Sequence, residues 1–276
     1  MPELSQTAAA ERASGSSFYT AMRVLPAAQR RAMFEIYSFC RQVDDIADSR
    51  GPRTLRRGQL EQWRDDIAAL YAGKPCARTQ GLAGPVHDFG LQREDFHSII
   101  DGMEMDVIAD IRAPAETTLD LYCDRVASAV GRLSVRVFGM NERDGLALAH
   151  HLGRALQLTN ILRDLDEDAS VGRLYLPAEA LRIAGIATAD PYLALASPSL
   201  GQTCEIIVDR ARSHFARAEI IMARNPRRIV RASRIMAEAY RAILDCLVDR
   251  GWATPRRPIQ LPRARLLWII VRHALA

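Results

Sequence analysis

Apolar residues recur at three- and four-residue steps along most of this 276-residue chain, while the two-residue alternation of a half-buried strand is hard to find. That periodicity confines the chain to an all-α architecture, in which each helix buries one apolar stripe. Met33, Phe34, Tyr37, Cys40, Arg41, Asp44 and Asp48 follow Pro26 at helical spacing until Gly51-Pro52 stops the run. Further helices are predicted over Leu55–Tyr71, Arg93–Ile108, Thr117–Phe138, Glu142–Asp166, Gln202–Arg224, Arg227–Arg250 and Arg263–Leu275. Residues 185–201, interrupted by Pro191 and Pro198, are expected to form a loop. With no repeat at a fixed period and no low-complexity linker, residues 14–276 are expected to form a single domain behind a loose tail at residues 1–13.

Composition serves mainly to exclude. The longest strongly apolar run, Leu266–Val271, is far shorter than the roughly 20 residues that cross a bilayer. Residues 1–13 lack the basic start and apolar stretch of a secretory signal, so a cytoplasmic location is expected. Five scattered cysteines without Cys-x-x-Cys spacing suit a reducing compartment and a packing role. A net charge of +4, with no zinc-finger, helix-turn-helix or aromatic–basic motif, disfavours nucleic acid as a partner and suits anionic small molecules or lipid headgroups. His150, His151 and His214 lack zinc spacing and read as packing or surface residues. The basic, amphipathic segment Arg263–Arg272 is expected to pack over the helices, with peripheral contact to an anionic membrane as its second role.

Two acidic stretches carry the chemistry. In Arg41–Asp48, Asp44 and Asp48 lie four apart and project from one helix face, where they can grip a single cation. In Gln157–Asp168, the residues Asn160, Asp164 and Asp168 form a ladder of oxygen ligands, extended one turn back by Gln157. Like charges four apart repel and would be avoided without a cation, so two such rows in one chain favour a metal site over two acidic helix ends. An amide and carboxylates with waters make the incomplete oxygen shell that Mg²⁺ takes when a substrate phosphate supplies the rest. Arg41, Arg163 and Arg173 flank the two rows as donors for diphosphate oxygens.

These residues resemble the squalene/phytoene synthase family from about Ser14 to Leu267. Ser17-Phe18-Tyr19 with Leu25-Pro26 and Arg30-Arg31 resembles its amino-terminal diphosphate-contacting segment, and Tyr37–Asp48 its first aspartate-rich motif. Tyr122–Gly131 is similar to its tyrosine-containing central signature, although Ser128 stands where many members have glycine. Gln157–Asp168 resembles the second aspartate-rich motif, Arg173-Leu174-Tyr175-Leu176-Pro177 the segment after it, and Tyr240 a further substrate-facing tyrosine.

The resemblance implies an isoprenoid-synthase helical bundle with a central apolar cavity and two or three Mg²⁺ ions held by Asp44, Asp48, Asn160, Asp164 and Asp168. It implies substrate contacts from Ser17, Phe18, Tyr37, Arg41, Gln157, Arg163, Arg173, Tyr175 and Tyr240, with Tyr122, Asp44 and Asp164 at the centre of catalysis. Gly131 is expected to leave room for substrate. Ile100–Val107, including Asp106 as a further diphosphate or metal contact, resembles the bacterial members that join two farnesyl diphosphates to presqualene diphosphate in hopanoid biosynthesis. NADPH is not expected, and a downstream squalene-forming enzyme is an implied partner. The alternatives are a phytoene synthase using two geranylgeranyl diphosphates, a full squalene or dehydrosqualene synthase, a one-substrate class I terpene cyclase, or a catalytically inactive relative acting as an assembly factor. The last would be expected to have lost acidic ligands, and none is lost.

Overall fold

The structure, a computed structural model, describes residues 22–275. The first four helices are α1 (Ala27–Asp48), α2 (Arg53–Tyr71), α3 (Gln80–Phe89) and α4 (Arg93–Ile108). After an extended connection come α5 (Glu116–Cys123), a π-helical turn at Asp124–Ser128, and α6 (Ala129–Phe138). The chain continues through α7 (Glu142–Arg163), α8 (Leu165–Ser170), α9 (Ala178–Ile183), α10 (Pro191–Leu195), α11 (Leu200–Ala223), α12 (Arg227–Arg250) and α13 (Arg263–Leu275). Among the described residues the sole β pairing is one parallel bridge between Arg112 and Leu174. The expected tail at residues 1–13, and Ser17 and Phe18, lie outside the described residues.

The helical period thus locates every long helix, and the departures have local causes. Helix α3 escapes it because Gly81, Gly84 and Pro85 interrupt its ten residues. It ends on Gly90, whose φ of 60° lies in the left-handed region that glycine enters without strain. The expected loop over 185–201 contains α10, opened by Asp190, whose side chain accepts a hydrogen bond from the Leu193 N–H at 2.9 Å, with Pro191 at the first helical position. The single helix expected over Thr117–Phe138 is split by the π turn, and the helix expected to reach Asp166 ends at Arg163.

Two apolar clusters build the interior. One gathers Leu148, Leu158, Leu162, Ile207, Phe215 and Leu244 from α7, α11 and α12. The other gathers Phe39, Trp63, Phe96, Ile100 and Leu133 from α1, α2, α4 and α6, with Phe39 set edge-on against Trp63 at 5.3 Å and Phe96 at 5.1 Å. Burying each such side chain contributes about 1.5–3 kcal/mol. Val126, in the π turn, packs against both clusters.

The π turn is held from two sides. Buried Arg154 on α7 donates to both oxygens of Asp120 at 2.7 and 2.9 Å and to Asp124 at 3.2 Å. Arg132 on α6 joins Asp124, at 3.2 Å, to buried Asp95 on α4, at 2.5 Å. At the crossing of the turn with α7 the backbones nearly touch, because a Cβ on Gly153 would stand 2.7 Å from Ser128 Cα. Ser128 is accommodated by that glycine opposite. Gly131 likewise faces Ala149, whose Cα is 3.1 Å from where its Cβ would be. Its absent side chain therefore serves close helix packing rather than substrate room.

Candidate active site

The first acidic row lies on the last three turns of α1. Tyr37 is half-buried against the second cluster, Arg41 is exposed one turn on, and Asp44 and Asp48 continue the same face. Arg41 pairs with Asp44 at 3.2 Å and with Asp45 at 3.1 Å, so its guanidinium is engaged by the row it was expected to assist. Partial withdrawal from water and the neighbouring Asp48 push the Asp44 carboxyl up to about 6, against a smaller opposing pull from Arg41.

The second row straddles a break in the helix rather than lying on one continuous helix. Asp164 leaves helical geometry at φ −100°, ψ 15°. Its N–H nonetheless bonds Asn160 O at 2.9 Å and its carbonyl accepts from the Asp168 N–H at 2.8 Å, so the four-residue spacing survives. Arg163 grips Asp164 with two bonds of 2.7 Å, and Tyr240 on α12 interacts with the same guanidinium. Asn160 Nδ2 reaches Gln157 Oε1 at 3.5 Å, whereas Asn160 Oδ1 is buried with no hydrogen-bond partner. A buried carbonyl oxygen left unpaired costs about 1–3 kcal/mol, so this one asks for a ligand. Burial and the charge of Asp164 push the Asp168 carboxyl up to about 8.

The segment after the second row returns to the first. Leu174 forms the bridge beside the end of α4, with Ala113 N–H to Leu174 O at 2.8 Å and Leu174 N–H to Ile111 O at 2.7 Å. That pairing delivers Arg173 to Asp48 at 2.9 Å and to the Ala47 carbonyl at 3.2 Å, so a residue following one acidic row caps the other.

It also delivers Tyr175 to Asp106. This α4 carboxylate, 4% exposed, accepts from the Tyr175 hydroxyl at 2.6 Å and from the Tyr122 hydroxyl at 2.9 Å, and the two rings stack at 4.9 Å. Arg173 stands 4.0 Å from the same carboxylate. Asp106, expected as a further diphosphate or metal contact, thus has a tyrosine hydroxyl on each of its oxygens. Burial holds Asp106 above the usual carboxylate range and keeps both phenols protonated. The charge of Asp106 bears on both Asp44 and Asp168, so the two rows share one field with Asp106 behind them. Asp106→Ala would strand two phenols and weaken the hold on Arg173; we expect a loss of about 3–5 kcal/mol in urea unfolding.

The structure therefore brings Asp44, Asp48, Asp164, Asp168, Arg173, Tyr175 and Tyr122 into one neighbourhood, with Tyr240 reaching it through Arg163. Carboxylates with raised pKa values and an orphaned amide oxygen fit a hard divalent cation, which oxygen donors favour. An open groove of about 600 Å³ between α11 and α12, lined by Phe215, Glu219, Arg241 and Leu244, contains none of the predicted site residues. What the residues alone did not reveal is that Tyr122 and Tyr175 share Asp106. The signals were an acid buried among the apolar residues of α4 and two tyrosines in separate segments, and nothing local joins them.

An all-helical chain with two acidic rows around a buried tyrosine–carboxylate cluster has the architecture of an isoprenoid synthase. It belongs to the squalene/phytoene synthase family, whose pattern matches residues 11–265. The presqualene diphosphate synthase of Rhodopseudomonas palustris is 60% identical over 95% of this chain and 94% of its own length. The 15-cis-phytoene synthase of a Synechocystis strain is 31% identical over 91% of this chain and 80% of its own. The crystal structure of a dehydrosqualene synthase superposes with a TM-score of 0.83 at 24% identity, covering 99% of this chain and 98% of that one, a likeness of fold.

Proposed function

We propose that this chain joins two farnesyl diphosphates head to head, in the 1'-2-3 sense, to give presqualene diphosphate. The C1–O bond of one substrate breaks, the C2=C3 double bond of the other attacks the allylic carbon, and loss of a proton closes the cyclopropane. One diphosphate and one proton are released. The observation that most directly supports cation-assisted ionisation is the unpaired, buried Asn160 Oδ1, one turn before Asp164 in the same row as Asp168, whose carboxyl burial and the charge of Asp164 hold toward its protonated form.

Asp44 and Asp48 from one row, with Asn160, Asp164 and Asp168 from the other, are the residues that would hold Mg²⁺. When bound, the cations supply the positive charge that offsets the departing diphosphate. Arg41, Arg163 and Arg173 now neutralise carboxylates, and each would turn to diphosphate oxygens once those carboxylates are otherwise engaged. Tyr122 keeps its proton and donates a hydrogen bond to Asp106, which would hold a neutral, oriented dipole near the cation that forms in the proposed reaction. Tyr37, Gln157, Tyr175 and Tyr240, with Ser17 and Phe18, complete the substrate contacts. The hydrocarbon chains would lie in the central apolar cavity that the family resemblance implies, and residues 14–276 would act as one catalytic unit.

Incubation with farnesyl diphosphate and Mg²⁺, with and without NADPH, tests this by mass spectrometry. A C30 cyclopropyl diphosphate under both conditions is the expected product. Squalene formed only with NADPH, or turnover confined to the C20 substrate, would replace the proposal with a squalene or a phytoene synthase.

No helix among the described residues is long and apolar enough to cross a membrane. The face of α13 supports transient membrane contact. Ile269 anchors that helix against Ile235, Met236 and Ala239, while Leu267 and Trp268 remain 61% and 58% exposed beside Arg272. At low salt, co-sedimentation with anionic vesicles is expected, and Trp268→Ala should reduce it several-fold. Recovery wholly in the supernatant would rule it out. Such contact would pass a greasy product to a downstream squalene-forming enzyme without exposing it to water.

A further inference from the structure

The histidines that spacing assigned to packing or surface roles are brought together by the fold. His150 and His151 lie on α7 and His214 on α11, and one ring nitrogen from each falls within 4.8 Å of the others. His151 Nδ1 and His214 Nδ1 are 3.0 Å apart, and the His150 ring meets that of His151 edge-on at 4.7 Å. We propose that His150, His151 and His214 form a binding site for a divalent transition metal of the zinc class, with water as the fourth ligand, separate from the acidic rows.

The geometry suits such an ion. Zinc bonded to imidazole at roughly 2.0–2.1 Å in a tetrahedron separates two ligand nitrogens by about 3.3–3.4 Å. His151 and His214 need to part by only a few tenths of an ångström, and the proton one Nδ1 now donates to the other gives way to the ion. His150 must move its nitrogen inward by roughly 1.5 Å, a rotamer change open to an exposed side chain. Three imidazoles form a softer donor set than carboxylates and an amide, so this site and the acidic rows select different cations.

The surroundings are compatible with a dication. Arg132, Arg154, Arg210 and Arg217 act on the histidines; Arg132 is bound to Asp95 and Asp124, Arg154 to Asp120 and Asp124, and Arg210 stands 3.4 Å from Glu116, which leaves Arg217 as the one opposing charge of the four with no carboxylate partner among the described residues. Burial and the neighbouring positive charges hold all three rings below the usual histidine range, His214 at about 4, so no proton competes at neutral pH. An ion here would tie α7 to α11 nine residues, roughly 14 Å, before Asn160. It would act as a brace for the helix that carries part of the second acidic row.

The test uses the untagged full chain, stripped with chelator and titrated with Zn²⁺ by equilibrium dialysis, with Co²⁺ absorption reporting the ligand geometry. We expect one Zn²⁺ per chain with a Kd of about 1 µM or tighter, tetrahedral Co²⁺ bands, and a Zn²⁺-dependent rise in melting temperature. His214→Gln and His151→Gln should each weaken binding about 100-fold or more, while Asp164→Asn should leave it unchanged. His150→Gln, at an exposed position, should fold normally and lose about tenfold in affinity. Equal Zn²⁺ affinity in the wild type and all three histidine variants, loss of binding in Asp164→Asn alone, or no binding at about 100 µM Zn²⁺ would each overturn the site.

Discussion

Asp168→Asn is expected to cut turnover roughly 10²–10³-fold while raising the melting temperature of the metal-free protein at pH 9. The opposite signs come from one cause. Asp168 is withdrawn from water beside Asp164, with Asp106 also acting on it, so without a cation its ionised form is disfavoured up to about pH 8. Above that pH the folded chain carries a charge that neither solvent nor a partner adequately stabilises, and asparagine removes it. Each kcal/mol recovered raises Tm by about 2–4 °C in a domain of this size. On the proposed function the same exchange would remove an anionic ligand from the second row, and activity would fall through lost stabilisation of the leaving diphosphate rather than through lost fold. A residue with a purely structural role would lose stability and activity together. Thermal melts and steady-state rates on one preparation separate the two outcomes.

The second large effect is linkage between protons and Mg²⁺. Asp44 and Asp168 titrate at about 6 and about 8 in the folded chain, against an ordinary aspartate value of 3.8. From about pH 4 upward the native state therefore holds protons that the unfolded chain has released. The stability these two groups contribute is complete below the unfolded value and declines as pH rises through about 6 for Asp44 and about 8 for Asp168. A divalent cation held by these carboxyls, as proposed, would reverse this trend by displacing those protons. Added Mg²⁺ should thus stabilise the protein more at pH 8.5 than at pH 5.5. Binding near pH 7 should release about one proton, chiefly from Asp168, measurable by calorimetry in buffers of different ionisation enthalpy. A Mg²⁺ effect independent of pH would mean that these carboxyls do not meet the ion.

Much of this site was legible in the residues because its acids lie on helices, where spacing maps directly onto a face. Asp44 and Asp48 share the end of α1 as their four-residue interval requires, and Asn160, Asp164 and Asp168 keep that interval through the break at Asp164. Contacts made across the fold were not legible. The return of Arg173 to Asp48 depends on the bridge at Leu174, and the pairing of Tyr122 with Tyr175 depends on Asp106, 16 residues from one and 69 from the other. The histidines show the same limit, because spacing rules detect ligands carried by one turn or helix and miss those divided between α7 and α11. Gly131 was misjudged for a related reason: a helix glycine signals close approach, and only the fold shows that Ala149 does the approaching.

On the proposed function the two acidic rows hold cations jointly around one diphosphate. Crystals grown with Mn²⁺ and an unreactive thio analogue of farnesyl diphosphate would test it through anomalous scattering. We predict Mn²⁺ peaks ligated by Asp44 or Asp48 on one side and by Asn160, Asp164 and Asp168 on the other, with analogue phosphate oxygens completing each shell. Peaks confined to one row, or a diphosphate bound with no cation between it and the carboxylates, would contradict it.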